Sequence, residues 1–386
     1  MRAKYELADI IRQSGIRFMS ERTVLPYHQK VLRAIEQCRT SALGGHVERC
    51  TACGTERVSY NSCRNRHCPK CQGSNRNKWI QARQDDLLDC RYFHVVFTLP
   101  ECLNSFCLHY PRELYDLLFL SAKQTLQTFG GDERYLGAGM GAVAVLHTWG
   151  QTLMLHPHIH LIVPGGGIDK NGHWKHTRTG GKYLFPVKAM SAIYRGKFMA
   201  GFKVFLENNG MELTGELKTA VYRKEWVVYA KRPFGGAAQV IEYLGRYTHK
   251  VAISNHRLTG IDHEKVSFTY KDYSDGCKTK IMTLDSVEFL RRFCLHILPP
   301  GFRKIRHFGI LASRNKPKLK AQQQKMNPPK TEKQRPVYNK AESFCTERKQ
   351  CPCCKTGHME IVMLFMPNAP PLRQPKSPIA SPMSKH

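Results

Sequence analysis

The run His156-Pro157-His158-Ile159-His160-Leu161-Ile162-Val163-Pro164-Gly165-Gly166-Gly167 constrains this chain more than any other stretch. Its apolar, β-branched part reads as a strand, and side chains in a strand alternate between faces. His158 and His160 therefore share one face while Ile159 points into the opposite layer. Two imidazoles do not complete a coordination sphere, but a second strand-like run, Gly141-Ala142-Val143-Ala144-Val145-Leu146-His147-Thr148-Trp149, lies just upstream. An antiparallel hairpin through residues 151–157 sets His147 opposite His158, with Cβ atoms about 5 Å apart. Three histidines then converge on one divalent-ion site. The plainer reading, half-buried histidines bonded to carbonyls, suits a lone histidine better than an alternating pair beside a third.

The chain has 386 residues, enough for two or more folded units, and a formal net charge of +30 from 60 Lys and Arg against 30 Asp and Glu. So large an excess selects a polyanionic partner. With no apolar run of about 18 residues and no dominant basic amphipathic helix, nucleic acid is favoured over a membrane surface. Residues 1–8 lack the apolar core of a signal peptide, so a cytoplasmic, nucleoid-associated protein with reduced thiols is expected. Its 15 cysteines are then metal ligands or free thiols rather than disulfides.

Six of those cysteines lie between Cys38 and Cys71. Cys50-Thr51-Ala52-Cys53-Gly54 and Cys68-Pro69-Lys70-Cys71 are knuckles that each put two thiolates on one turn, so Cys50, Cys53, Cys68 and Cys71 are predicted to close a tetrahedral Zn²⁺ shell. Cys63 and His67 are surplus, and either can replace a knuckle ligand. A closed shell has no room for substrate, which makes this module structural or DNA-positioning, with Arg64, Arg66, Lys70 and Arg76 as phosphate contacts. A third knuckle, Cys351-Pro352-Cys353-Cys354, is a possible second zinc site with Cys345 and His358 as completing ligands.

Helical patterns cover residues 5–14, 26–39, 111–129 and 188–208, and a helix capped by Ser74 is expected to lead into the strand at residues 92–99. His94 on that strand reads as a satisfied core histidine, although it can approach the histidine cluster. Strands interleaved with long helices give an α+β unit on a mainly antiparallel sheet. The expected division is a helical and zinc-binding N-terminus to residue 90, a core over 91–312, a basic disordered tether over 313–344, and a zinc-knuckle tail over 345–386. The tether is inferred from nine Lys and Arg against one Glu between Arg314 and Lys340.

The second chemical stretch is Gln239-Val240-Ile241-Glu242-Tyr243-Leu244-Gly245-Arg246-Tyr247-Thr248-His249-Lys250. On a helix, Tyr243 and Tyr247 stand one turn apart and address one site, with Arg246 and Lys250 as DNA contacts. Tyrosine is a weak nucleophile near neutral pH because its pKa is about 10. An ion held by His147, His158 and His160 makes phenolate attack on a phosphodiester feasible, leaving a 3′-hydroxyl and a 5′-phosphotyrosine.

These blocks, His156-Pro157-His158-Ile159-His160 and Tyr243-x-x-x-Tyr247 after the cysteine knuckles, together with Phe97-Thr98-Leu99-Pro100, resemble the two-tyrosine rolling-circle transposases of the HUH endonuclease superfamily, the insertion-sequence ninety-one family. The likeness runs from about Cys50 to Ala312. It implies a five-stranded antiparallel sheet, Mg²⁺ or Mn²⁺ as catalytic ion, and cleavage of single-stranded DNA at the ends of a mobile element and in its target. Superfamily members with one nucleophile favour Tyr243 as the initiating residue. The third ligand varies within the superfamily, so His147 rests on the hairpin argument alone. A plasmid replication initiator or relaxase would use the same chemistry. A non-catalytic zinc regulator would explain the charge but leave the tyrosines and histidines without a purpose.

Overall fold

A computed structural model describes residues 3–72, 80, 86–178, 183–223, 225–231, 239, 240, 243, 245, 248, 250–262, 264–326 and 349–369. Helices Leu7–Glu21 and Pro26–Glu36 come first, then strands β1 (Gly45–Cys50) and β2 (Glu56–Tyr60). The helix expected after Ser74 lies largely outside the described residues. Next follow β3 (Tyr92–Thr98), helices Asn104–His109 and Pro111–Gly131, β4 (Ala142–Trp149), β5 (Leu155–Pro164), and the hairpin of β6 (Gly166–Ile168) and β7 (Trp174–His176). Helices Val187–Asn208 and Gly215–Arg223 precede β8 (Val228–Lys231). The chain continues through β9 (Leu258–Ile261), β10 (Lys265–Asp272), β11 (Lys278–Asp285), helix Ser286–Cys294, β12 (Ile305–Phe308), helix Lys316–Met326 and β13 (Met359–Phe365). None of the described helices is long and apolar enough to cross a membrane.

The fold is α+β, centred on a five-stranded sheet ordered β12-β4-β5-β3-β8 in which every neighbouring pair is antiparallel. Alternation gives its two faces different work. Phe93, Val95, Phe97, Ala144, Leu146, Ile159, Leu161 and Val163 point to one side and are buried against helices Pro111–Gly131 and Val187–Asn208, through Leu114, Leu118, Tyr194, Phe198 and Phe202. The opposite face carries His94, His147, His158 and His160, cross-strand neighbours with Val96, Thr98 and Val145. Side chains of this apolar kind each contribute about 1.5–3 kcal/mol on full burial, so the helix-covered face anchors the sheet and leaves the histidine face available.

The glycines that follow β5 answer to backbone crowding. A Cβ at Gly166 would stand 2.4 Å from the Lys175 carbonyl, and one at Gly167 would stand 2.6 Å from the Gly139 carbonyl. Only glycine lets the β6 strand pass there.

A second core joins the N-terminal helices to the segment after the central sheet's β8. Leu7, Ile10, Phe18, Leu32 and Ile35 of the first two helices pack with Val266, Phe268, Phe289, Leu290 and Phe293 of the β9–β11 sheet and its helix. The segment read from its charge as a disordered tether is different in its first part: Lys316–Met326 is helical, with Leu319 buried against Leu88 and Ile310, and Gln323 Nε2 donating to the Leu87 carbonyl at 2.6 Å. One buried leucine and a few polar contacts suffice to dock a helix whose composition is otherwise basic.

His296 lies in this second core with both ring nitrogens engaged. Its Nε2–H donates to the Leu153 carbonyl at 3.0 Å, so Nδ1 accepts from the Thr148 hydroxyl at 3.2 Å. Burial pushes the imidazole down to about 4, and His28 is likewise pushed down to about 4. The unfolded chain protonates such groups near 6.5 while the native chain resists, so stability is complete above about pH 6.5 and declines as pH falls toward 4. Replacing His296 with Gln is expected to flatten the pH dependence of unfolding free energy between pH 6.5 and 4.5 by about one proton, at about 1.4 kcal/mol per pH unit. Urea titrations of parent and variant across that range measure it.

Candidate active site and metal centres

β4 and β5 pair with His147 directly opposite His158. With His160 two residues along, the three imidazoles bring one nitrogen each within 4.8 Å of one another. Ring centroids lie 5.5 Å apart for His147 and His158, 4.5 Å for His147 and His160, and 4.9 Å for His158 and His160. His158 Nδ1–H donates to the His156 carbonyl at 2.6 Å, which leaves the Nε2 lone pair free for an ion. Burial pushes His158 down to about 4, and His160 is also pushed below its ordinary value by burial. Both are neutral at pH 7, the form that ligates metal. This donor set fits a divalent cation.

Tyr243 is helical and packs with Val240 on Tyr92 and Ile162, on the histidine face of the sheet. Its hydroxyl lies 3.1 Å from His94 Nδ1, and His94 Nε2 lies 2.9 Å from His160 Nδ1. The His94 and His160 rings stack at 5.1 Å with 14° between planes. His94 is buried, as expected of a core histidine, and it also reaches the cluster, bridging the tyrosine to the histidine triad. Tyr247, Arg246 and Arg76 lie outside the described residues.

Two lysines add positive charge. Lys304 donates to the Lys250 carbonyl at 2.8 Å and sits 5.0 Å over the Trp149 ring, which in turn stacks on His147 at 4.5 Å. Burial lowers Lys304 to about 7, and the charges of Lys250 and Lys304 help to hold His160 neutral. Lys304 carries no motif. Only the pairing of β12 with β4 brings it here, which is why sequence reasoning missed it.

The cysteines divide otherwise than their spacing suggested. Cys50, Cys53, Cys68 and Cys71 do not share one shell: Cys68 and Cys71 gather with Cys38 and Cys63, while Cys50 and Cys53 gather with Cys351 and Cys354. Cys38 follows helix Pro26–Glu36, and packing of that helix in the second core carries its sulfur to 3.5 Å from Cys71; Cys63 lies 3.6 Å from Cys71. In the absence of a cation four sulfurs at this spacing cannot all ionise: hydrogen bonding with Cys38 pushes Cys63 and Cys68 up and draws Cys71 down. A Zn²⁺ ion resolves that conflict. His67 and His358 stay out of both clusters, His358 meeting Thr51 through its backbone N–H, and Cys345 lies outside the described residues.

Two of the expected DNA contacts are occupied internally. Arg66 donates to the carbonyls of Leu298, Pro299 and Phe302, and Lys70 bonds Glu6 at 2.5 Å and the Cys38 carbonyl at 3.2 Å. They fasten the cysteine loop to the second core. Arg64 is exposed.

Comparison with known proteins identifies the family. A family model described as "Transposase zinc-binding domain" matches residues 10–99, and one described as "Putative transposase" matches residues 141–318. The chain is 42% identical over 381 residues to the putative transposase y4qJ of Sinorhizobium fredii, covering 93% of this chain and 95% of that one. It is 31% identical over 325 residues to the transposase for insertion sequence element IS801 of Pseudomonas savastanoi pv. phaseolicola, covering 80% of this chain and 74% of that one. No solved structure matches it. The cysteine clusters and the zinc-binding domain together support structural zinc.

Closed thiolate sites contribute folding energy directly. Cys38→Ser is therefore expected to lose one equivalent of zinc and to lower the melting temperature, whereas Cys102→Ser, outside both clusters, should change neither. Elemental analysis with thermal melts of the two variants tests the revised ligand set.

Proposed function

Because this chain belongs to the IS91 family of transposases, we propose that it nicks and rejoins single-stranded DNA at the ends of a mobile element through a 5′-phosphotyrosine, with Tyr243 as initiating nucleophile. The observation that carries this reading is the continuous contact from the Tyr243 hydroxyl through His94 to His160 of the triad. A net charge of +30 concentrates the phosphate backbone at the protein, and Lys250, joined by Lys304 in its protonated form, adds positive charge near the histidines.

His147, His158 and His160 would hold the catalytic Mg²⁺ or Mn²⁺, which when bound supplies Lewis-acid charge against the phosphoryl oxygens. The tautomers follow from the hydrogen bonds. A His160 that presents Nε2 to the ion keeps its proton on Nδ1 and donates it to His94 Nε2. His94 then carries its own proton on Nδ1, and that N–H donates to Tyr243 Oη. The tyrosine's hydrogen is thus directed away from His94, and the phenolate formed when it departs keeps a donor at 3.1 Å. The phenol proton passes to water, the phenolate oxygen attacks phosphorus, the bond to the 3′ oxygen breaks, and that oxygen takes a proton from water as it leaves. Attack by another 3′-hydroxyl on the phosphotyrosine reverses the chemistry and joins strands with no external energy source. Tyr247, four residues on in sequence, is the second nucleophile in this reading.

Incubating the protein with Mn²⁺ and a labelled strand carrying an element end should give an adduct that survives boiling in detergent. Tyr243→Phe should abolish the first adduct, and Tyr247→Phe should form it but fail to transfer the strand to a second DNA. His94→Phe should slow adduct formation by about 10²-fold, the usual effect of removing one donor from a developing oxyanion. Adduct from the double Tyr→Phe variant, or formation undiminished by EDTA, contradicts the proposal.

A further inference from the structure

We infer that Cys50, Cys53, Cys351 and Cys354 hold a second Zn²⁺ ion, which clasps the C-terminal segment onto the N-terminal module from 298 residues away along the chain. The four sulfurs converge: Cys50 lies 3.6 Å from Cys354 and Cys53 lies 3.7 Å from Cys351. Sulfurs bound tetrahedrally to one zinc at about 2.3 Å are separated by about 3.8 Å.

The backbone is built to the same purpose on both sides. Cys50-Thr51-Ala52-Cys53 and Cys351-Pro352-Cys353-Cys354 both aim amides at sulfur. Ala52 and Cys53 N–H point at Cys50 Sγ, Cys353 N–H at Cys351 Sγ and Gly357 N–H at Cys354 Sγ, all at 3.4 Å. Such donors stabilise a thiolate. The residue after each second cysteine is left-handed, Gly54 with φ +69° and Lys355 with φ +59°. At Lys355 that conformation carries the cost a non-glycine residue pays, so the turn is held by its surroundings. Gly357 completes the fit, because a Cβ there would stand 2.5 Å from Cys50 Sγ.

The clasp lies in a shared sheet. β13 pairs antiparallel with β1, from Gly45 opposite Phe365 to Cys50 opposite Met359, in a three-stranded sheet ordered β13-β1-β2. Four thiolates form a closed, redox-inert shell, so the ion is structural zinc. The matched zinc-binding domain ends at residue 99 and contains only half of this ligand set. The site is independent of the nuclease chemistry proposed above.

The test uses the purified full chain. Elemental analysis should find two zinc ions per chain, falling to one in Cys351→Ser/Cys354→Ser. Alkylation mapped by mass spectrometry gives a readout on the unmutated protein. Cys351 and Cys354 should be protected while the exposed neighbour Cys353 reacts, and a chelator should remove the protection of Cys50, Cys53, Cys351 and Cys354 together. One zinc ion in the parent chain, two in the variant, or labelling of Cys351 and Cys354 as fast as Cys353 before chelation would overturn the assignment.

Discussion

The pairing of β4 with β5 decides whether the three histidines converge, because a slip of one residue would turn His147 to the face of the sheet covered by helices. The register that sets His147 opposite His158 also sets Leu146 opposite Ile159 and Ala144 opposite Leu161. Those apolar partners are buried against Pro111–Gly131 and Val187–Asn208. Packing on one face thus specifies chemistry on the other. The same logic reaches β3, where Val96 opposite His160 places His94 one step further along the histidine face, within reach of Tyr243.

Around this sheet the first helices and the cysteine-bearing segment 349–369 are bound into the structure rather than appended to it. The N-terminal helices share a core with β9–β11, and the first cysteine cluster lies in that core. Arg66 ties the cysteine loop to the carbonyls of Leu298, Pro299 and Phe302, shortly before Lys304.

What the sequence made legible was local. Alternation in residues 156–163 and 141–149 disclosed two strands, their relative orientation and the convergence of three histidines, because the pattern has period two and one connecting loop. The long helices were equally clear from their apolar stripes. What it concealed depended on distant packing. Cys38 stands alone after a helix with no knuckle to mark it, and Cys50 and Cys53 find their partners in the C-terminal knuckle, beyond the whole central sheet. Knuckle spacing identifies ligands, but the fold decides which knuckles meet. Lys304 and the docked helix Lys316–Met326 escaped for a related reason: a basic residue or segment looks solvated until a particular neighbour covers it.

The central claim is that the histidine-bridged tyrosine is the atom that joins DNA. Trimming the covalent adduct with nucleases and locating the residual nucleotide by tandem mass spectrometry tests it most directly. The account predicts a nucleotide linked through its 5′-phosphate to Tyr243 after the first nick. A nucleotide on a residue other than Tyr243 or Tyr247, or one joined through a 3′-phosphate, would contradict it.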